Sequence, residues 1–483
     1  MEQNSNNLRA KTITGFLWRF LERVGAQGVQ LIVSIILARL LAPELFGTIT
    51  LISVFTTILS TFVDSGFGNA LIQKKDADDL DFSSVFYFNI TICVILYLIM
   101  FFCAPLIARF YKSDELVAPI RVISLTLLVS GVKNVQSAYV SRTMQFKRFF
   151  FATLGGTLGA AVLGIWMAYA GFGIWALVSQ YVFNNAVDTV ILWITVKWRP
   201  KWMFSFERLK SLFSYGWKIL ASSLIDTTYG QIRQLIIGKV YSPSSLAYYD
   251  RGNSFPFAIV NNVNSSINSV LFPVMSSVQD DVENLKSMTR RAITISSYIM
   301  WPLMMGLAAC AEPFVRLLLT DKWLPCVPFL RIFCISYAFY PIHSSNLNAI
   351  KALGRSDLFL KLEIIKKCVG LLIIVISMHY GVLAMAYGVL VGDILSQVIN
   401  SWPNRKLLRY PYEEQLKDIL PAIMLSFVMF GIVWSVQMLH LSNLLTLLLQ
   451  IPTGVLVYLL GSRLLRLESF HYCMSLIKGF LKR

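Results

Sequence analysis

Charge is scarce in this chain. Only 14% of its 483 residues are Asp, Glu, Lys or Arg, whereas a soluble protein of this size carries about 25%. That deficit excludes an ordinary water-soluble domain. Acidic residues are the scarcer sign, 26 against 43 basic, for a formal charge of +17. On a soluble domain such a surplus would point to nucleic acid. Here the basic residues are spread over many short connections and form no basic domain, so nucleic acid is not expected as a partner. Cysteine is sparse too, seven residues with no CxxC pair. Cys93, Cys103, Cys310, Cys334 and Cys368 fall in or near apolar segments, which reads as packed or lipid-facing thiols rather than a disulfide or a metal site. The chain has no Walker loop, no HExxH and no GxSxG, so ATP-driven transport by this chain alone is not expected. The start is polar through Asn7 and lacks a short apolar region with a small-residue cleavage site. A removable signal peptide is therefore not expected, and the first helix directs insertion.

What the chain has is apolar length. It is 56% hydrophobic, with a mean hydropathy of +0.62. Runs near membrane-spanning length recur from end to end. Lipid admits only helices or closed barrels, and the runs do not alternate, so the expected fold is an all-α integral membrane protein of about fourteen transmembrane helices. Lys and Arg concentrate in alternate connections, among them Lys197, Arg199, Lys201, Arg208 and Lys210. Under the positive-inside rule that pattern places both termini in the cytoplasm of a multi-pass protein. The last segment, Glu468 to Arg483, carries Phe470, Cys473 and Met474 on one face. It reads as an amphipathic helix lying on the cytoplasmic surface.

The chain repeats itself. Ile32 to Gly47 recurs 200 residues later as Ile232 to Ala247. Ala38 meets Gly238, Arg39 meets Lys239 and Pro43 meets Pro243 in that register. Each copy ends an apolar segment with a small residue, a cation and a turn, then a proline that cannot continue the helix. Further along, Pro105 aligns with Pro313, Arg121 with Arg331 and Gly171 with Gly381, as the shift drifts to about 210 through loop insertions. This predicts residues 1–200 as one lobe with helices one to six, and 201–410 as a second with helices seven to twelve. Residues 411–466 then hold helices thirteen and fourteen, and 467–483 the surface helix. The stretch from Trp198 to Lys210 joins the lobes and is where they are expected to rock.

Charges inside spans are costly and mark function by default. The first helix carries Arg19, Glu22 and Arg23, with Gln27 and Gln30 on nearby angles. Arg19 and Arg23 share a face, and Glu22 is three residues from Arg19 and able to pair with it. The plain reading is arginines snorkelling to headgroups; the functional one is the cationic wall of a wet cavity. In the seventh segment Asp226 and Arg233 lie two turns apart. Lys133 is followed by Asn134 and Gln136, and His343 by Ser344, Ser345 and Asn346. Asp64, Asp188 and Asp393 are each an ion site or the partner of an interior cation. The two DxD triplets, Asp76 to Asp78 and Asp79 to Asp81, match the spacing by which glycosyltransferases hold a metal and nucleotide sugar. They sit in a short loop with no Rossmann-like domain around them, so a solvated loop is expected.

Several stretches together resemble a known family: the Glu22-Arg23 pair, LARLLAPELFG, VDSGFGNALIQ, SPSSLAYYDRGNSF and LFPVMSSVQDD. They are similar to the bacterial oligosaccharide flippases and polysaccharide exporters of lipopolysaccharide and colanic-acid type. Those belong to the multidrug/oligosaccharidyl-lipid/polysaccharide exporter superfamily, which includes the MATE antiporters. The resemblance runs from about residue 10 to 465 and holds no short diagnostic motif. It implies a MATE-like fold and a flippase rather than an enzyme. It implies movement of undecaprenyl-diphosphate-linked oligosaccharide repeat units across the bacterial inner membrane for O-antigen, capsule or exopolysaccharide synthesis. The implied partners are that lipid-linked sugar, the bilayer, a polysaccharide polymerase and a chain-length regulator.

The diphosphate and sugar would then meet Arg19, Arg23, Lys133, Arg233 and His343. Glu22, Asp64, Asp188, Asp226 and Asp393 would couple an ion or balance charge. No catalytic residue, resident cofactor or metal is expected, and a proton or sodium gradient is the expected energy source. Two alternatives stay open. A drug or cation antiporter of the same fold would need an acidic cavity. A membrane-embedded polymerase or ligase would need a large outside loop.

Overall fold

A computed structural model describes residues 2–64, 67–74 and 76–481. All its regular elements among these residues are helices, as a lipid-embedded backbone requires. The chain divides into two compact units, Met1–Ala247 and Tyr248–Arg483.

The first unit contains α1 (Glu2–Leu40), α2 (Pro43–Asp64), α3 (Phe67–Gln73), α4 (Asp79–Tyr111) and α5 (Val117–Arg142). It continues with α6 (Lys147–Tyr169), α7 (Ile174–Thr195) and α8 (Phe206–Val240). α6 packs along α1 and α7, and α2 packs on α5 and α8. Gly156 sets the α6–α7 spacing, because a Cβ there would lie 2.8 Å from the Asn184 carbonyl oxygen. Small residues of this kind let membrane helices approach without a hydrophobic driving force.

α4 starts on the acidic loop. Asp78 is its N-cap, accepting from the Asp81 amide at 3.0 Å, while Asp81 accepts from the Asp78 amide. This is a reciprocal capping box. The Asp81 amide holds the Asp78 carboxyl below its usual value. Asp81 is fully buried and paired with Lys74 at 2.7 Å. Three of the four DxD carboxylates thus take part in helix initiation and ion pairs; Asp76 and Asp78 stay exposed, as expected of a solvated loop, and only Asp81 is buried. The stretch after α7 docks on the same corner. Lys201 reaches Asp79 at 2.5 Å, Trp198 donates to Asp79 at 3.1 Å, and the Ser205 amide donates to Ser84 at 2.9 Å. The joining stretch is thus anchored to α4 at Trp198, Lys201 and Ser205.

The second unit takes up most of α9 (Pro243–Ser276), then α10 (Val282–Ala309), α11 (Ala311–Leu319), α12 (Val327–Ala338) and α13 (Tyr340–Ala352). It ends with α14 (Ser356–Ser377), α15 (Val382–Ser401), the short α16 (Asn404–Leu407), α17 (Tyr412–Ser435), α18 (Asn443–Leu464) and α19 (Glu468–Leu481). α10 is its hub, packing on α12, α13 and α17.

Ten stretches among the described residues are long and apolar enough to cross a membrane. The other segments expected to cross, α7, α8, α9 and α14, are helices too. They carry polar residues such as Asp188, Arg233, Asn262 and Lys366, which lower their hydropathy.

The repeat has a structural counterpart. α1 stops at Leu40 and α2 starts at Pro43; α8 stops at Val240 and α9 starts at Pro243. Leu41 donates to Leu37 in the first junction and Tyr241 to Ile237 in the second. Arg121 on α5 donates to the Phe101 carbonyl of α4 at 3.3 Å. Arg331 on α12 donates to the Ala308 carbonyl of α10, also at 3.3 Å. The proline pairing is different. Pro105 lies inside α4, but Pro313 sits in the first turn of α11, and the internal proline of α10 is Pro302. Gly381 immediately precedes α15 as its N-cap, a position that Gly173 rather than Gly171 fills before α7.

Candidate functional site

The charged turn of α1 faces α6. Trp18 packs on Phe150 with ring centroids 5.2 Å apart. The Arg19 guanidinium lies 4.0 Å over the Phe149 ring and donates to Glu22 at 3.0 Å. A cation over an aromatic face gains roughly 0.5–2 kcal/mol according to how far it is desolvated. Thr153 of α6 donates to the other oxygen of Glu22 at 3.2 Å. Arg19 and Glu22 are thereby fixed in position. Arg23, Gln27 and Gln30 continue along α1, exposed, and with Thr153 they line a cavity of ≈ 480 Å³. Two guanidinium groups against one carboxylate give this wall a net positive charge. The amides beyond them can both donate and accept.

Lys133 and Asp188 form the second charged group. Lys133 on α5 donates to Asp188 on α7, whose residue is only 8% exposed. Gly156 lets α7 come close at this level, since its Cβ position lies 3.3 Å from the Asp188 Cβ. The neighbours of Lys133 are bound to backbone. Asn134 donates to the Val63 carbonyl at 3.0 Å, and Gln136 to the Trp198 carbonyl at 3.1 Å. Asp226 and Arg233 lie on α8, the aspartate exposed and the arginine half-buried. Asp64 closes α2, and its side chain lies outside the described residues.

Two of the expected residues belong to the second unit. His343 is bonded to Asn400 at 2.7 Å and packs near the Tyr340 ring. Asp393 accepts from Ser336. Below them, Asn346 donates to Gln415 at 2.7 Å and accepts from Asn404 at 2.6 Å. The Gln415 amide also donates to the Tyr410 carbonyl at 3.1 Å.

The structure therefore assembles Arg19, Glu22 and Arg23 on one cavity wall and joins Lys133 to Asp188. Sequence reasoning passed over Thr153, Phe149 and the Thr61–Thr227 hydrogen bond of 3.3 Å that ties α2 to α8. A threonine in an apolar helix gives no charge signal, and its hydroxyl commonly bonds its own helix, as Thr157 does to the Thr153 carbonyl. Only tertiary packing singles out the hydroxyls that bond elsewhere.

Residues 36–328 match the family described as polysaccharide biosynthesis protein. The chain belongs to that family. It is 25% identical over 457 residues to the lipopolysaccharide biosynthesis protein WzxC of Escherichia coli (strain K12), covering 94% of this chain and 88% of that one. It is 23% identical to the teichuronic acid biosynthesis protein TuaB of Bacillus subtilis (strain 168), with 84% and 85% covered. The succinoglycan biosynthesis transport protein ExoT of Rhizobium meliloti (strain 1021) is 25% identical over 72% of this chain and 71% of its own. Among solved structures, the lipid II flippase MurJ in an inward closed conformation superposes with a TM-score of 0.73 at 17% identity, covering 94% and 98%. An inward-facing multidrug resistance MATE family transporter gives 0.62 at 15% identity, covering 82% and 98%. At these identities the structural likeness establishes the fold, which is the MATE-like all-α membrane fold. The chain is a multi-pass membrane protein of the polysaccharide biosynthesis family.

Proposed function

We propose that this protein flips undecaprenyl-diphosphate-linked oligosaccharide repeat units across the bacterial inner membrane by alternating access, with both termini cytoplasmic. The observation that carries the reading is the cavity wall on α1. Arg19 and Arg23 supply planar forks suited to a diphosphate, and Gln27 and Gln30 supply the amides a sugar chain needs. Arg23 is exposed on the cavity wall while Arg19 packs over the Phe149 ring, so Arg23 is the principal diphosphate ligand, with Arg233 as its counterpart on α8. Lys133 is paired with Asp188 and His343 with Asn400, which makes both secondary contributors. Glu22, Asp188, Asp226 and Asp393 are the acids through which a proton or sodium gradient would act. A cation antiporter is disfavoured because the cavity wall carries two arginines and one acid.

The test is a deletion strain complemented with Arg23→Ala, Arg23→Lys and the Arg23→Ala, Arg233→Ala pair. Lipid-linked sugar is measured alongside protein abundance in the membrane. The pair should accumulate lipid-linked sugar at normal protein levels, and Arg23→Lys should retain part of the export. Full export by the pair would overturn the reading.

A further inference from the structure

A second cavity, of ≈ 790 Å³, opens in the second unit where α18 turns into α19. Its walls come from α10, α17 and α19, and its polar lining is dominated by Arg290, Arg291 and Arg466. Arg290 is already neutralised, held by Asp418 at 2.5 Å and Glu414 at 3.3 Å. Asp418 is committed as well, since it also accepts from the Tyr410 hydroxyl at 2.6 Å. Arg291 and Arg466 differ. Both are exposed, and among the described residues neither is held in an ion pair by a carboxylate. The Arg291 guanidinium lies 5.5 Å from the Tyr472 ring of α19. Arg466 occupies the turn into α19 with φ 52°, a left-handed conformation unusual for a residue with a side chain. Its side chain is part of the cavity lining. Glu468 is the other acid of the lining, so three cations face two acids, one of them spent on Arg290.

The helices beside the cavity also carry exposed apolar side chains. On α17 Met424 and Val428 are 61% and 56% exposed, and on α18 Leu464 is 82% exposed. An amphipathic helix beside a pair of arginines is the arrangement by which membrane proteins hold anionic headgroups.

We propose that this cavity binds the phosphodiester of an anionic membrane lipid, gripped by Arg291 and Arg466, with the acyl chains lying along α17 and α18. Guanidinium groups bind phosphate oxygens two at a time, so the site discriminates by charge and geometry. It shares no lining residue with the α1 cavity and would hold its lipid whatever substrate the protein moves.

The test uses the purified full chain in a neutral detergent, titrated with dioleoylphosphatidylglycerol, dioleoylphosphatidylcholine or sodium phosphate, with lipid retention read by native mass spectrometry. The phosphatidylglycerol should bind more tightly than the phosphatidylcholine by on the order of thirtyfold, the effect of two surface cations. Arg291→Gln with Arg466→Gln should remove that preference. The matching pair of lysine variants, which keeps the charge and controls for folding, should retain part of it. Equal binding of the two lipids, an unchanged preference in the glutamine pair, or sodium phosphate binding as tightly as the lipid would each overturn the proposal.

Discussion

The two units share scaffolding devices and differ in what they do with polar side chains. Each has an arginine on one helix donating to a carbonyl of the long helix before it, Arg121 to Phe101 and Arg331 to Ala308. In the first unit, Arg23, Gln27 and Gln30 stand exposed along a cavity. In the second, Asn346, Asn404 and Gln415 are buried and bonded to one another. Burial pushes the Tyr410 hydroxyl up, so it stays a neutral donor to Asp418 at the edge of that network. The same residue types thus stand exposed on a cavity wall in one unit and act as adhesive between helices in the other. Polarity within a span does not by itself mark a site. Whether the side chain faces a cavity or is buried between helices is what separates the two cases.

The largest effect expected from breaking this contrast is at Lys133. Removing one partner of a buried ion pair costs about 3–5 kcal/mol, and less here because Lys133 keeps some solvent access. Lys133→Met should therefore lower the amount of folded protein in the membrane, and adding Asp188→Leu should restore it. Normal abundance in the single variant would move Lys133 from scaffold to ligand.

Next in size is the buried amide network. Asn346→Leu leaves Gln415 and Asn404 without their shared acceptor, at about 1–3 kcal/mol for each buried group left unsatisfied. Detergent-solubilised protein should unfold at a lower temperature. Gln27→Leu on the exposed α1 wall should leave that temperature within the range of ordinary surface changes, about ±0.5 kcal/mol, and lower export instead. Equal thermal losses from both changes would erase the distinction between the units.

Much of this organisation was legible in the chain. Helical apolar runs, the proline-marked junctions and the three-residue spacing of Arg19 and Glu22 are local features, and local features survive folding. The Lys133–Asp188 pair was not legible, because its members are 55 residues apart and any of several acids would have served. The buried network was hidden in the same way. Asn346 was visible as one of the polar residues after His343, but its partners on α16 and α17 come from 58 and 69 positions away. The repeat register failed at Pro313 because α10 ends before that residue, whereas α4 runs on past Pro105.

A smaller effect is expected where the two proline junctions meet within the first unit. A Cβ on Gly47 would fall 1.7 Å from the Pro243 carbonyl oxygen, whereas one on Gly238 would meet a Leu51 methyl. Backbone cannot move aside as a leucine tip can. Gly47→Ala should therefore cost more than Gly238→Ala, with overpacking typically about 1–3 kcal/mol. Thermal unfolding of the two variants side by side reads the difference, and a larger loss at Gly238 would reverse it.

The smallest effect concerns the feature the units share. Arg121 and Arg331 occupy equivalent places, each donating through Nε to a carbonyl at 3.3 Å. Arg121 has an addition: its guanidinium lies 4.1 Å from the Phe101 ring centroid. Polar contacts between membrane helices average about 0.6 kcal/mol and reach about 1.7. An exposed cation over an aromatic ring adds about 0.5–1. If the two arginines are the same device, Arg121→Gln and Arg331→Gln should both be mild, with Arg121→Gln costing slightly more. Adding Phe101→Leu should remove that excess, because the carbonyl acceptor stays while the ring is lost. Unfolding midpoints of these variants give the answer. A severe loss at Arg331 alone would mean that the second unit relies on its arginine for something beyond the shared scaffold, and the parallel between the halves would end at the proline junctions.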